Sequence, residues 1–183
     1  MRLGAESDRI AAAGAEVIAV SVDDDDRQAG MFARWPTPHV RYVSDPDGQA
    51  ILRPLGLFDP DERGGIGLPA FIVYDPDGAE VYRKVGRDFA DRTADAEMFD
   101  AVEALGLEAI DPPAGGPVAD VPDDLSGFFR SDWLFPYFRG NRFAAVAIGG
   151  RTDDADFRGI ARQHRLMCDA TLEAWDRVKD GMG

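Results

Sequence analysis

The chain has 183 residues, 45% of them hydrophobic and 10% aromatic, which is enough for one domain with a substantial appendage and too apolar for a disordered polymer. Its formal net charge of -14 and pI of about 4.4 repel phosphate backbones and anionic lipid, so neither nucleic acid nor a membrane surface is an expected partner. One cysteine, Cys168, excludes an internal disulfide and a cysteine zinc site, and with two histidines, His39 and His164, no metal or other cofactor is expected.

No apolar run approaches membrane-spanning length, and the first ten residues lack the apolar core of a secretory signal. A reducing cytoplasm is the expected compartment. Leu3 to Ala13 reads as a helix with Leu3, Ser7, Ile10 and Ala11 on one face and Gly14 as its stop. Val17 to Val22 is a β-rich run with the character of a buried parallel strand. The four carboxylates Asp23 to Asp26 suit a hard cation or a helix N-terminus, and the helix reading is preferred because it needs nothing beyond the aspartates themselves. That helix runs to about Trp35 on Ala29, Phe32 and Ala33, and Pro36 and Pro38 end it. His39 to Ser44 is extended. Asp45-Pro46-Asp47-Gly48 is a turn, with a helical stretch expected over Gln49 to Leu55 and a glycine-rich loop over Phe58 to Gly67 that matches no phosphate-binding fingerprint.

Gly65 to Gly86 is the best-specified stretch. Phe71 to Tyr74 is a near-continuous apolar strand, Asp75-Pro76-Asp77-Gly78 repeats the turn tetrapeptide, and Glu80 to Val85 alternates as a strand nearer an edge does. Leu68-Pro69 opens the hairpin. Neither tetrapeptide has the ligand spacing of a calcium loop. Arg87 and Arg92 suit an anion or ion pairs with Asp88 and Asp91, the pairs being preferred. Ala94 to Leu105 is an amphipathic helix on Met98, Val102 and Leu105.

Asp111 to Pro122 lacks periodicity, so the expected division is a first domain over 1–110, a linker over 111–124 and an aromatic, mainly helical extension over 125–183. Phe128, Phe129, Trp133, Phe135, Tyr137, Phe138 and Phe143 are expected to pack the extension onto the first domain or onto a second subunit, since stacking on nucleic acid lacks a basic groove. Arg142 to Ile148 permits helix or strand, and its alanines favour helix. Ala155 to about Val178 is a long helix with a broad apolar stripe that includes His164 and Cys168. Within such a stripe Cys168 reads as a small hydrophobe rather than a nucleophile, and His164 as a half-buried helix residue rather than its base.

The order of helix, VIAVSVD strand, acid-capped helix, SDPDG turn, LPAFIVYDPDG hairpin and final helix over Leu3 to Leu107 resembles the redoxin family of the thioredoxin-like fold. That family includes alkyl hydroperoxide reductases, thiol-specific antioxidants and peroxiredoxins. The resemblance implies an α/β thioredoxin-like fold, here N-terminally truncated, with a C-terminal helical extension similar to that of some redoxin-like proteins. It implies that Pro69, with Leu68 before it, is a cis proline at the substrate side of the active site. It also implies a catalytic cysteine between a first strand and a first helix, and neither that strand nor that cysteine is in this chain. The absent strand is central, between Val17–Val22 and Phe71–Tyr74. Three resolutions are open: a strand encoded upstream, which is preferred; a strand lent by Arg142–Ile148 or by a partner chain; or a rearranged sheet.

The implied function is that of a redoxin-family antioxidant oxidoreductase related to thiol-dependent peroxide reduction, inactive in this chain for want of its cysteine and dependent on a thiol reductant where an upstream cysteine exists. The alternative is a non-catalytic thioredoxin-like module for binding or dimerisation, a homodimer through the C-terminal extension, with Trp133 and Trp175 at its interface.

Overall fold

The computed structural model describes residues 3, 6–62, 64–86, 96–128 and 130–180. The chain is mixed α/β and divides into two compact units, Met1–Phe128 and Phe129–Gly183.

The first unit begins with α1 (Ser7–Ala12), whose buried Ile10 and Ala11 lie on the face expected from their spacing. Gly14 closes it at φ 73°. Strand β1 (Val17–Ser21) follows and pairs in parallel with β2 (Val40–Ser44), Val17 opposite Val40 and Ser21 opposite Ser44. Between them runs α2 (Asp25–Arg34). Asp24 caps it by accepting a 2.8 Å hydrogen bond from the Arg27 amide, and Asp25 and Asp26 add negative charge to the first turn. The aspartate run is therefore used as a helix start.

The carboxylate of Asp45 accepts the amides of Ala50, Ile51 and Leu52 at 3.1, 2.9 and 2.8 Å. This capture replaces the helix expected over Gln49 to Leu55 with successive turns. Pro54, within this stretch, offers no amide to an i→i−4 ladder. Gly48, at φ 70°, lets the chain pass so close to the Phe58 ring that a Cβ there would lie 2.3 Å from it. The loop expected over Phe58 to Gly67 closes on itself as a small antiparallel ribbon of β3 (Phe58–Asp59) and β4 (Ile66–Gly67).

The hairpin is as expected: β5 (Ala70–Tyr74) pairs antiparallel with β6 (Glu80–Val85), with a register shift between Val73 and Tyr74 at the turn. Asp75 accepts the amides of Asp77 and Ala79, and Gly78 takes φ 83°. Helix α3 (Ala96–Ala104) buries Met98, Phe99 and Val102. Arg87 and Arg92 lie outside the described residues.

One apolar cluster holds these elements together. Ile10 of α1, Val73 of β5 and Met98, Phe99 and Val102 of α3 are buried in it, and Val17 of β1, Phe71 and Tyr82 pack against it. Residues 111–124, expected to be a linker, and 125–128, expected to open the extension, belong to this unit. Gly116 bridges to Arg41, its amide donates to the Val40 carbonyl at 2.7 Å, and its carbonyl accepts from the Tyr42 amide. His39 Nδ1 lies 3.2 Å from the Pro113 carbonyl oxygen, Arg34 donates to the Leu125 carbonyl, and the Phe128 ring occupies the space a Cβ on Gly30 would take.

The second unit is a helical hairpin: a 3₁₀ turn at Ser131–Trp133, α4 (Leu134–Gly149) and α5 (Ala155–Asp180). Arg142 to Ile148 is helical, in line with its alanines. Among the described residues no helix is long and apolar enough to cross a membrane.

Candidate functional site

Among the described residues three two-stranded sheets form instead of one, with orders β1-β2, β3-β4 and β5-β6. Backbone geometry fixes which groups are left over. In the parallel pair the Ser21 carbonyl accepts the Asp45 amide, so Val17, Ala19 and Ser21 aim their backbone groups at β2, and Ile18 and Val20 aim theirs away. In the hairpin the Pro69 carbonyl accepts the Gly86 amide at 2.7 Å, so Phe71 and Val73 face β6, and Ala70 and Ile72 face away. Among the described residues these outward groups have no strand partner. Ile18 is 54% exposed.

The outer edge of β2 is treated differently. Val40 and Tyr42 meet Gly116 there, and Gly115 approaches so closely that a Cβ would lie 2.5 Å from the Val40 carbonyl oxygen. One edge of the parallel pair is thus capped by main chain from 115–116 and the other is open. Open edges are templates for strand addition. The outer strand β6 carries Glu80, Arg83 and Lys84, charges that discourage pairing on its far side.

At the C-terminal ends of β1 and β2, where open parallel sheets place their ligand crevices, sits a small polar cluster. Gln28 is 2% exposed, and its Nε2 donates to Ser21 Oγ at 3.2 Å and to the Asp23 carbonyl at 3.4 Å. Its Oε1 has no hydrogen-bond partner among the described residues. Ser44 Oγ donates to the Asp23 carbonyl at 2.8 Å. Burial pushes the Asp45 carboxyl up, but the three backbone amides and the charge of Arg53 outweigh it and hold the group below the usual carboxylate range. The cluster offers hydrogen bonds, among them one from the Ser21 hydroxyl to the Asp23 carboxylate at 3.3 Å, and in Asp45 a carboxylate fully engaged by backbone amides. No group of three or more metal-binding side chains occurs among the described residues.

Leu68 and Pro69 are half-buried between β4 and β5. The Leu68 amide donates to the Leu57 carbonyl at 2.8 Å. The expectation of a cis bond here is overturned: no described peptide bond is cis. Trans is the intrinsically preferred form by roughly 0.5–1 kcal/mol even before proline, and the hydrogen bonds to Leu57 and Gly86 hold the segment at both ends without a reversal. This counts against the redoxin resemblance at its most specific residue.

Cys168 lies in the other unit, on α5, and is fully buried. Burial pushes its thiol up, the neighbouring Asp169 carboxylate adds to that, and Arg142 opposes it. Such a thiol stays protonated and is a poor nucleophile. No hydrogen bond joins it to His164 among the described residues. The Trp175 side chain lies outside the described residues, and Trp133 is 51% exposed.

The open edges are the two rows that the absent central strand of the resemblance leaves unpaired, whereas the 115–116 cap was not visible to sequence reasoning. The cap depends on main-chain hydrogen bonds, and the Gly115-Gly116 pair within a proline-rich stretch is its one trace in the sequence. Comparison with family models, with curated proteins and with solved structures finds no match.

Proposed function

We propose that this chain is a redoxin-like α/β module, related to thiol-dependent peroxide-reducing antioxidant proteins, with no thiol catalyst among its own residues. The split sheet carries the reading. A parallel pair and an antiparallel hairpin, in the chain order the resemblance implies, pack on one core while the open edges of β1 and β5 remain unpaired. One strand laid between them would satisfy Ile18 and Val20 on one side and Ala70 and Ile72 on the other, and in the redoxin arrangement the cysteine follows that strand. The trans Leu68–Pro69 bond stands against the reading; the shared core and the strand order stand for it. The reaction on this reading takes electrons from a thiol reductant, needs no other cofactor, and belongs in a reducing compartment such as the cytoplasm.

The test is the reading frame ahead of Met1. It should encode an apolar segment of about five or six residues followed by a turn bearing a cysteine, and the chain extended to include it should consume hydroperoxide at the expense of a thiol. A frame without such a segment overturns the reading. A second reading, a non-catalytic module for binding or dimerisation, is favoured by the large apolar residues that α4 and α5 leave exposed, Phe143, Val146, Ile148 and Ile160 among them.

A further inference from the structure

The charge of the chain is divided unevenly between its two units. Residues 1–128 hold 26 of the 34 acidic and 11 of the 20 basic residues, whereas 129–183 hold eight acidic and nine basic. The first unit therefore repels a second copy of itself, and the helical hairpin does not.

Apart from Asp156 in the first turn of α5, one side of the hairpin carries no charged residue. Among the described residues Ala145 on α4 and Cys168 on α5 are the buried residues of the two helices. Gly149 meets Ala161, and Arg142 pairs with Asp169 at 2.5 Å, so the helices run antiparallel. In an antiparallel pair, equal steps along each sequence carry residues to the same side, because a twofold axis perpendicular to the helices relates them. At a helical advance of about 100° per residue, steps of −8, −4, −1 and +3 from the buried residue fall on one side.

On α4 these steps reach Tyr137, Asn141, Ala144 and Ile148. On α5 they reach Ile160, His164, Met167 and Thr171. None is Asp, Glu, Lys or Arg, in a chain that is 30% charged. Arg142 and Asp169 lie at −3 and +1, on the opposite side. Tyr137, Ile148 and Ile160 are 46, 49 and 44% exposed. Two of the polar members turn inward to their own helices: Asn141 Nδ2 donates to the Tyr137 carbonyl at 2.9 Å and Thr171 Oγ1 to the Met167 carbonyl at 2.9 Å. Side chains satisfied in this way tolerate being covered.

We propose that this side is a homodimer interface, on which the same side of a second copy closes an isologous four-helix bundle. The proposal deepens the dimerisation reading above, and of the exposed residues named there Ile148 and Ile160 lie on this side. A surface with the same offsets on both helices is suited to meeting itself across a twofold axis. Its area is adequate. A 16-residue helix is about 24 Å long and two helices side by side are about 20 Å wide, so each copy offers a face on the order of 500 Å². Two such faces, with side chains interdigitated, bury on the order of 1,000–1,500 Å², the size of a specific interface.

Mass measurement by light scattering and sedimentation on the full chain is the test. The wild type should be a dimer at micromolar concentration. Ile160→Glu buries two uncompensated charges per dimer and should weaken association at least about a hundred-fold, with an unchanged far-ultraviolet spectrum. Leu166→Glu alters an exposed residue on the far side of α5, at −2 from Cys168, and should leave the dimer intact. Hydrogen exchange gives a second readout that needs no variant: amides of 141–148 and 160–167 should gain protection with rising protein concentration. A dimer that survives Ile160→Glu overturns this interface while leaving the dimerisation reading standing. A monomer with concentration-independent protection at those positions means the hairpin docks within its own chain, and it overturns both.

Discussion

Phe99→Ala tests whether the two strand pairs are one structure. Phe99 is 1% exposed, at the centre of the cluster that joins α1, β1, β5 and α3, and the Arg9 guanidinium sits 4.5 Å above its ring. Truncating a buried phenylalanine removes about 3–5 kcal/mol, and loss of a partly exposed cation–π contact adds about 0.5–1 kcal/mol. The sum of roughly 4–6 kcal/mol is comparable with the whole stability of a small domain, about 5–15 kcal/mol. Urea unfolding followed through Trp35 of the first unit, with amide exchange in parallel, measures it. Protection should fall together at Ala19 and Val43 of the parallel pair and at Phe71 and Val73 of the hairpin. A loss under about 1 kcal/mol, which is what a surface substitution gives, or a loss confined to β5 and β6, would refute the shared core.

Three further outcomes follow from named contacts. Gly115→Ala places a Cβ 2.5 Å from the Val40 carbonyl oxygen and should lift the 115–116 segment from β2, costing about 1–3 kcal/mol as overpacking does; unchanged exchange at Tyr42 would contradict this. The folded Asp45 carboxyl lies below its unfolded value, which is about 3.9, so its contribution is present above that pH and is lost as pH falls through the lower folded value. Asp45→Asn should therefore lower the melting temperature at neutral pH and flatten its fall below about pH 4, and an unaltered pH profile would count against the role given to the Ala50–Leu52 amides. Cys168, buried and held protonated, should resist alkylation in the native protein and react on unfolding, and Cys168→Ser should leave any peroxide turnover unchanged. Rapid native labelling would overturn the placement of that thiol.

Much of the local structure could be read from the residues. The two Asp-Pro-Asp-Gly turns, the VIAVS and AFIVY strands, the aspartate-capped α2 and the long α5 each follow from side-chain chemistry that acts over a few positions. The misreadings share a cause. Gln49 to Leu55 has helical composition, but the Asp45 carboxylate takes its first amides. Residues 111–124 look like a linker because Gly115 and Gly116 bind β2 through backbone groups, which leave no periodic side-chain signal. Pro69 was expected in cis from a resemblance, and its neighbours hold it in trans. Buried Gln28 was missed because a polar residue in a helix gives no local sign that the strand behind it will cover it. The unpaired edges of β1 and β5 are a property of what surrounds them, and strand sequence alone does not distinguish an edge from a centre.

Amide hydrogen exchange along β1 and β5 tests the open sheet most directly. The amides of Ile18, Val20, Ala70 and Ile72 aim at the unpaired edges, and those of Ala19, Ser21, Phe71 and Val73 aim at paired strands. The first four should exchange at least about a hundred-fold faster than the second four, the difference between an unbonded amide and one released only by unfolding of several kcal/mol. Equal, strong protection of all eight would show that the edges are occupied and would contradict the account.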